Sequence, residues 1–487
     1  MKNLLYIIPL CILLGSCSKF LDVQPESEVS KDQLFNAEEG FKEALNGVYT
    51  YAAGQSLYGG NLTFSNLDIM AQNYEFTDLR YQKVASFQYN DPELLAKNNT
   101  IWREAYKAIN NSNAILEVID EKKPVFREQN FEIIKGEALA LRAFLHFDLL
   151  RMFAPSFRSD PNARAIPYVT KVSTQSTPFS TVSEVLDLIL QDLTTAEELL
   201  LKADPIVGAG YIVGYPGGEN VTEETNPNLF MQNRRHRLNY YAVQAQMARV
   251  HLYKGEYGPS LQKAKAVIDS RKFPWTEQED FFDSDVSERD RIFYKELIFA
   301  WHMPNAEDHL EALFSNENPA YSPLNEQVNQ IYESGGVGAD DWRLRQWFRV
   351  VRNANLADRA YLQKYIRNSS PLSNLHPLVA PAIRLSEMYY IAAEASFDAD
   401  PVIAAEYLNT VRIQRGIGDR IPSTLSKSEF IAELAKEARK EFYGESQIFY
   451  MHKRLHLNIV AANGQLYPAS NQIFVFPIPI DEEAYRN

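Results

Sequence analysis

Cysteine is almost absent from this chain: of 487 residues only Cys11 and Cys17 carry a thiol. Both lie near the amino terminus, so the body of the protein has no disulfide framework, no cysteine-ligated zinc and no cysteine nucleophile. After Cys17 there is no apolar run of the roughly 20 residues that a membrane-spanning helix needs. Nor is there an array of alternating strands that would form an outer-membrane barrel. Positive charge is in deficit. Lys and Arg total 49 against 63 Asp and Glu, a net charge of −14, which argues against a nucleic-acid or polybasic membrane-surface partner. HExxH, GxSxG and P-loop signatures are missing as well. Gly208, Gly210 and Gly214 superficially resemble a dinucleotide loop. The last glycine comes one place too late and no clear strand precedes it, so the stretch reads as a flexible loop.

What is present begins at the amino terminus. Lys2 precedes an apolar run from Leu4 to Leu14, followed by Gly15, Ser16 and Cys17. That order is a secretory signal, and Leu14-Gly15-Ser16-Cys17 resembles the lipobox at which lipoproteins are acylated and cut. We expect a signal peptide over residues 1–16 and lipidation at Cys17. A polar leader over 17–35 would carry Pro25, and a single body would run over 36–487. The hold on the membrane would then be lipid alone.

From Asn36 the apolar residues fall at helical spacing. In Val182–Leu201, residues Val182, Val185, Leu186, Ile189, Leu193, Ala196 and Leu200 form one face, with Asp and Glu filling much of the other. Similar periods run over Ile101–Asp120, Phe131–Phe153, Tyr240–Lys254, Pro259–Arg271, Ile383–Phe397, Ile403–Arg415, Lys427–Tyr443 and Gln447–Leu457. Short joints such as Gly255-Glu256-Tyr257 pair them into hairpins like those of tetratricopeptide repeats. The expected fold is mainly α, with about four such pairs and a loop-rich half holding a few short strands such as Glu296–Trp301. The helical frame is expected over about 36–54, 93–272 and 383–460. The loop-rich, ligand-binding part is expected over about 55–92 and 273–382.

Tyr and Phe number 27 each, and several rings fall in the loops. Long loops inside a compact protein carry function more often than structure. A flat ring can stack on the C–H face of a sugar or on an apolar peptide side chain, and neighbouring Asn and Asp can bond hydroxyls or amides. The candidate ligand-binding residues are therefore Tyr58, Asp68, Asn73, Tyr74, Tyr81, Trp275, Trp301 and Tyr321. Trp102, Trp342 and Trp347 read as packing. His452 and His456 are spaced for a shared metal, but no third ligand is evident. Asp283, Asp285, Glu288 and Asp290 could hold Ca²⁺, without the regular loop pattern. No catalytic residue, metal or cofactor is assigned.

Five phrases in order carry a family resemblance. They are Cys17-Ser-Lys-Phe-Leu-Asp22, Gly136–Phe153 (Glu137, Ala138, Leu141, Arg142, Ala143 and Phe147 in register), Ile383–Ala395, Leu408-Asn409 with Val411-Arg412 and Arg415-Gly416, and Phe476-Pro-Ile-Pro479. Together they resemble the SusD/RagB family of nutrient-binding outer-membrane lipoproteins. There is a departure: in Glu445–Arg454, Ser446, Ile448, Met451 and His452 replace the usual Gly, Arg, Asp and Leu. The resemblance implies a tetratricopeptide-like half facing a SusC-like TonB-dependent transporter. It also implies a loop-rich half that captures oligosaccharide, or sometimes peptide, at the cell exterior. Peptide capture is the alternative ligand class. A glycoside hydrolase using loop carboxylates and a purely structural lipoprotein are the competing functions.

Overall fold

The computed structural model describes residues 31–76, 78–352 and 357–485; the signal segment and Cys17 lie outside the described residues. Ten longer helices make the frame: α1 (Glu38–Ala52), α2 (Pro92–Leu116), α3 (Asn130–Phe153), α4 (Val182–Ala203), α5 (Tyr240–Lys254), α6 (Tyr257–Ser270), α7 (Leu385–Ser396), α8 (Pro401–Ile413), α9 (Lys427–Glu441) and α10 (Ile448–Leu455). Three short antiparallel pairs join β1 (Leu297–His302) to β4 (Val379–Arg384), β2 (Phe348–Val351) to β3 (Arg359–Leu362), and β5 (Ile459–Val460) to β6 (Leu466–Tyr467). The fold is mainly α, as expected. Each helix from α1 to α8 packs on the next, and α9 packs beside α7, so the hairpins form one continuous stack. No described helix is long and apolar enough to cross a membrane.

Local chemistry sets the helix ends. Thr181 and Glu184 form a capping box at the start of α4, and Ser426 and Glu429 do the same for α9. α2 begins nine residues before the apolar period suggested, because Asp91 caps two backbone N–H groups and Pro92 takes the first turn. Gly255 ends α5 at φ 74°, the left-handed position a side chain resists, and α6 starts two residues later. The carboxy-terminal phrase 476–479 is not a strand. Phe476 is buried and its N–H donates to the Met152 carbonyl at 3.0 Å, which pins the segment to the end of α3.

α3 departs from the one-sided pattern expected of Phe131–Phe153. All of its residues but Glu132 and Lys135 are buried, so its polar side chains must find partners inside. Glu137 pairs with Arg234 at 2.6 Å and accepts from the Tyr49 hydroxyl. Arg142 makes a two-pronged bond to Asp192, 2.7 Å on each arm. His146 accepts from the Val169 N–H at its Nε2, leaving Nδ1 to face the Arg142 carbonyl at 2.8 Å. Burial pushes His146 down to about 3, so it stays neutral. Gly136 lets α4 approach: a Cβ there would lie 2.9 Å from Leu200.

The loops are tied to this frame by buried ion pairs. Glu441, at the end of α9, accepts from Arg415 at 2.8 and 3.0 Å and from Arg343 at 2.9 Å. Arg415 also reaches Glu296 just before β1, at 2.5 Å. Arg384 and Lys364 converge on Glu445, and Arg412 and Lys440 on Glu437. All of these side chains are buried. The long stretch 204–237 is ordered the same way, by Arg234 on Asp204 and Arg235 on Glu223.

Replacing Arg415 with Met should leave the buried Glu296 without its cationic partner and Glu441 with Arg343 and Arg384 alone, and lower unfolding stability by about 3–5 kcal/mol, read as a shifted urea midpoint; an unchanged midpoint would contradict the network. A second expectation concerns acid. Burial alone would raise the Glu441 carboxyl, but Arg415 and Arg384 outweigh it and hold it well below its usual 4.5. A carboxylate lowered on folding contributes fully above its unfolded value and loses that contribution as the pH falls towards its folded value. The urea midpoint should therefore fall as the pH drops below about 4.5, and a midpoint flat to pH 3 would argue otherwise.

Candidate functional site

The eight candidate residues separate into three places. Asp68, Asn73, Tyr74, Tyr81 and Tyr321 come together. Tyr58 and Trp301 form a second group, their rings stacked 4.4 Å apart at 9°. Trp275 stands alone against Tyr389, 5.2 Å between centroids, with the Arg415 guanidinium 5.3 Å from its ring.

Most of them do not face solvent, which corrects the expectation that they touch ligand. Asp68, Asn73, Tyr58, Tyr74, Trp301 and Tyr321 are all at most 5% exposed, while Tyr81 and Trp275 are half-buried. The Tyr58 hydroxyl is spent on Asp148 at 2.7 Å. Rings in a polar loop fold inward when their hydroxyls find a buried carboxylate, because the ring then gains burial without an orphaned polar end.

Asp68 is such a carboxylate. It sits on the short helix Asn66–Met70 and accepts from the Tyr74 hydroxyl at 3.0 Å and from Asn73 Nδ2 at 3.2 Å. It also accepts from the backbone N–H of Gly444 at 2.9 Å and of Ser446 at 3.2 Å. Burial raises its carboxyl to about 6 even though these donors pull the other way. Ser446 stands where the resemblance leads one to expect glycine, and it adopts φ 59°. Its hydroxyl donates to the Thr63 carbonyl at 2.8 Å, which helps hold a backbone that glycine would adopt freely. Gln72 is likewise left-handed at φ 59°, and its carbonyl accepts from Arg439 at 2.6 Å and Gln327 at 3.1 Å. The Tyr443 hydroxyl donates to the Asn73 carbonyl at 2.7 Å. Segment 72–74 is thereby clamped to the end of α9.

Above this clamp lies an open groove of about 580 Å³. One wall is segment 72–88, with the edges of Tyr74 and Phe76 and the amide of Gln82. Behind them Tyr81 lies 4.7 Å from Phe76 and 5.5 Å from Tyr321, and Tyr74 lies 5.1 Å from Tyr321. The other wall is the β5–β6 hairpin, with Asn463, Gln465 and Tyr467. Gln465 is exposed, and its side chain makes no hydrogen bond to the described residues. Leu79, 71% exposed, and Leu466, 53% exposed, flank the groove.

The hairpin wall was missed, although Asn463-Gly464 between Val460 and Leu466 is a short-hairpin signal. Phe76 was missed because nothing in sequence distinguishes it from its buried neighbours. The metal candidates do not assemble. Asp290 is buried and accepts from the Ile292 and Tyr294 N–H groups and the Tyr215 hydroxyl, while Asp283 and Asp285 cap local turns. His456 ends α10 in a left-handed turn. No three His, Cys, Asp or Glu side chains among the described residues converge on a metal position.

Comparison with known proteins agrees with this architecture. A SusD-like family model described as starch-binding and associating with the outer membrane matches residues 19–204, and the SusD family model matches residues 310–473. SusD-like protein P38 of Formosa agariphila is 26% identical over 54% of this chain and 44% of its own length. The chain thus spans under half of that relative. SusD-like protein P2 of the same organism is 22% identical over 99% of this chain and 97% of its own length. Two Bacteroides vulgatus structures share the fold, each with a TM-score of 0.70. A putative sugar binding protein is 21% identical over 92% of this chain and 97% of its own, and a SusD-like carbohydrate binding protein is 19% identical over 92% and 96%. A shared fold, two matching models in chain order and a relative spanning the whole length lead to one assignment: the chain belongs to the SusD/RagB family.

Proposed function

We propose that this protein is a lipid-anchored nutrient-binding protein of the outer membrane that captures oligosaccharide in the groove between segment 72–88 and the β5–β6 hairpin. It hands the oligosaccharide to a SusC-like TonB-dependent transporter. The observation that carries the reading is the groove's composition: the rings of Phe76 and Tyr467 line it together with the side-chain amides of Gln82, Asn463 and Gln465. Rings stack on the C–H faces of sugars and amides bond their hydroxyls, the mix of apolar surface and a few placed polar groups that small-ligand sites use. The buried aromatics beneath serve as a rigid floor for the exposed ones. The groove lining offers one carboxylate, Glu75, whereas glycoside hydrolysis uses two. Family membership and the lipobox-like Leu14–Cys17 support the anchor and the transporter partnership.

Two experiments test this reading. Phe76→Ala combined with Gln465→Ala should weaken retention in polysaccharide affinity gels by about tenfold while leaving the circular dichroism spectrum and the urea midpoint unchanged; full retention across a neutral glycan panel would remove the site. Cys17→Ala should yield a folded protein that still binds glycan in vitro but no longer supports uptake in cells, and unchanged uptake would remove the tethered role.

A further inference from the structure

A second groove, of about 490 Å³, opens elsewhere on the molecule. Its floor includes Tyr49 and Trp301. One wall is the outer face of α1, where Lys42, Asn46 and Thr50 lie. The other is the segment from Leu229 to Arg237, and His302 closes one end from the last position of β1. No Asp or Glu lines it, in a chain whose net charge is −14.

The cations here are arranged, not scattered. Lys42 Nζ lies 5.5 Å from the centre of the Phe230 ring and the Arg237 guanidinium 4.6 Å from it. One half-buried ring is thus shared by two positive groups. Arg237 bonds the Asn46 side chain. Its acid partner, Glu137, is 3.4 Å away, fully buried, already paired with Arg234 at 2.6 Å and bonded by the Tyr49 hydroxyl. Arg237 therefore has only a share of one carboxylate. Lys42 pairs at 2.5 Å with Glu38, whose carboxylate also accepts from the Arg127 N–H and from Asn130.

The imidazoles of His236 and His302 stack 5.3 Å apart at 9°. Burial first, then His302, Arg235 and Arg237, push His236 down to about 3. His302 is exposed, and its ring makes no hydrogen bond to the described residues. Leu229, 78% exposed, stands beside Phe230.

We propose that this groove is a separate binding site for an anionic sugar, one whose ring rests on Phe230 and whose carboxylate or sulfate is held between Lys42, Arg237 and His302. A sugar fits better than an acidic peptide because Asn46, Thr50 and Gln232 supply side-chain donors and acceptors for hydroxyls beside an aromatic face. The inference rests on reading the protein as a glycan binder.

The test is titration calorimetry of the protein from Ser18 onward with three probes: tri-galacturonic acid, its methyl ester, and a sulfated κ-carrageenan oligosaccharide. A hexa-aspartate peptide is the fourth. We expect at least one acidic sugar to bind about tenfold more tightly than the neutral ester and to weaken as salt is raised. Which acid wins distinguishes carboxylate from sulfate recognition. Lys42→Gln combined with His302→Gln should abolish that preference without changing the circular dichroism spectrum, and Phe76→Ala should leave it intact. Neither acidic sugar binding more tightly than the ester, no effect of the double variant, or tighter binding of hexa-aspartate would each overturn the inference. No acidic-sugar preference in the unaltered protein, with Phe76-dependent retention of neutral glycan preserved, would overturn this site alone. Absence of both would overturn the glycan-binding reading itself.

Discussion

The junction between α8, α9 and the entrance to β1 depends on one carboxylate, that of Glu441. It lies at the end of α9 and accepts from Arg415, which follows α8, and from Arg343, which belongs to the loop-rich part. Arg415 carries the connection on to Glu296, at the entrance to β1. A buried charge is tolerable only when it is paired and its hydrogen-bonding capacity is filled. Each member therefore holds its neighbours in place, and the loops inherit the rigidity of the frame. Replacing such a network with apolar side chains can leave stability unchanged. What the ions add here is geometry: a guanidinium fork donates to carboxylates only near its own plane, which fixes how β1, α8 and α9 meet.

The same device explains why the loops are mostly core. Segment 204–237 has the composition of an exposed linker, yet Arg234 and Arg235 are buried on Asp204 and Glu223. Segment 54–76 holds its aromatic rings inside because Asp148 and Asp68 receive their hydroxyls. With the polar ends satisfied, each tyrosine contributes its ring to burial at about 25 cal/mol per Å². Only what lies above this second floor is left to meet a ligand: Phe76, Gln82 and the β5–β6 hairpin.

The two grooves differ in their electrostatics. The one above Asp68 mixes aromatic faces with amides and carries little net charge. The one beside α1 is lined by Lys42 and the buried Arg237, with the exposed His302 at one end and no acid among its lining residues. Phe230 and Trp301 give the second groove an apolar surface as well.

The helical frame was legible in the sequence because a helix on a core repeats its apolar residues every three to four positions. Val182–Ala203 and Lys427–Glu441 emerged within two residues of their expected ends. The joint at Gly255, the short strand at Leu297–His302 and the packing role of Trp102 were legible too. α3 was misjudged as one-sided because its buried Glu137, Arg142, Asp148 and Arg151 look like a solvent face until their partners are known. The candidate site was only partly legible. Five of the eight chosen residues do converge, but as the floor beneath a groove. The hydroxyl of Tyr74 and the amide of Gln465 are equally polar on paper; one is spent on Asp68, the other is exposed and makes no hydrogen bond to the described residues. Period and composition are local quantities, and they determined the elements by themselves. Which polar group is satisfied by protein and which is left for a ligand depends on residues hundreds of positions apart, such as Asp68 and Gly444, and only the tertiary structure decides that.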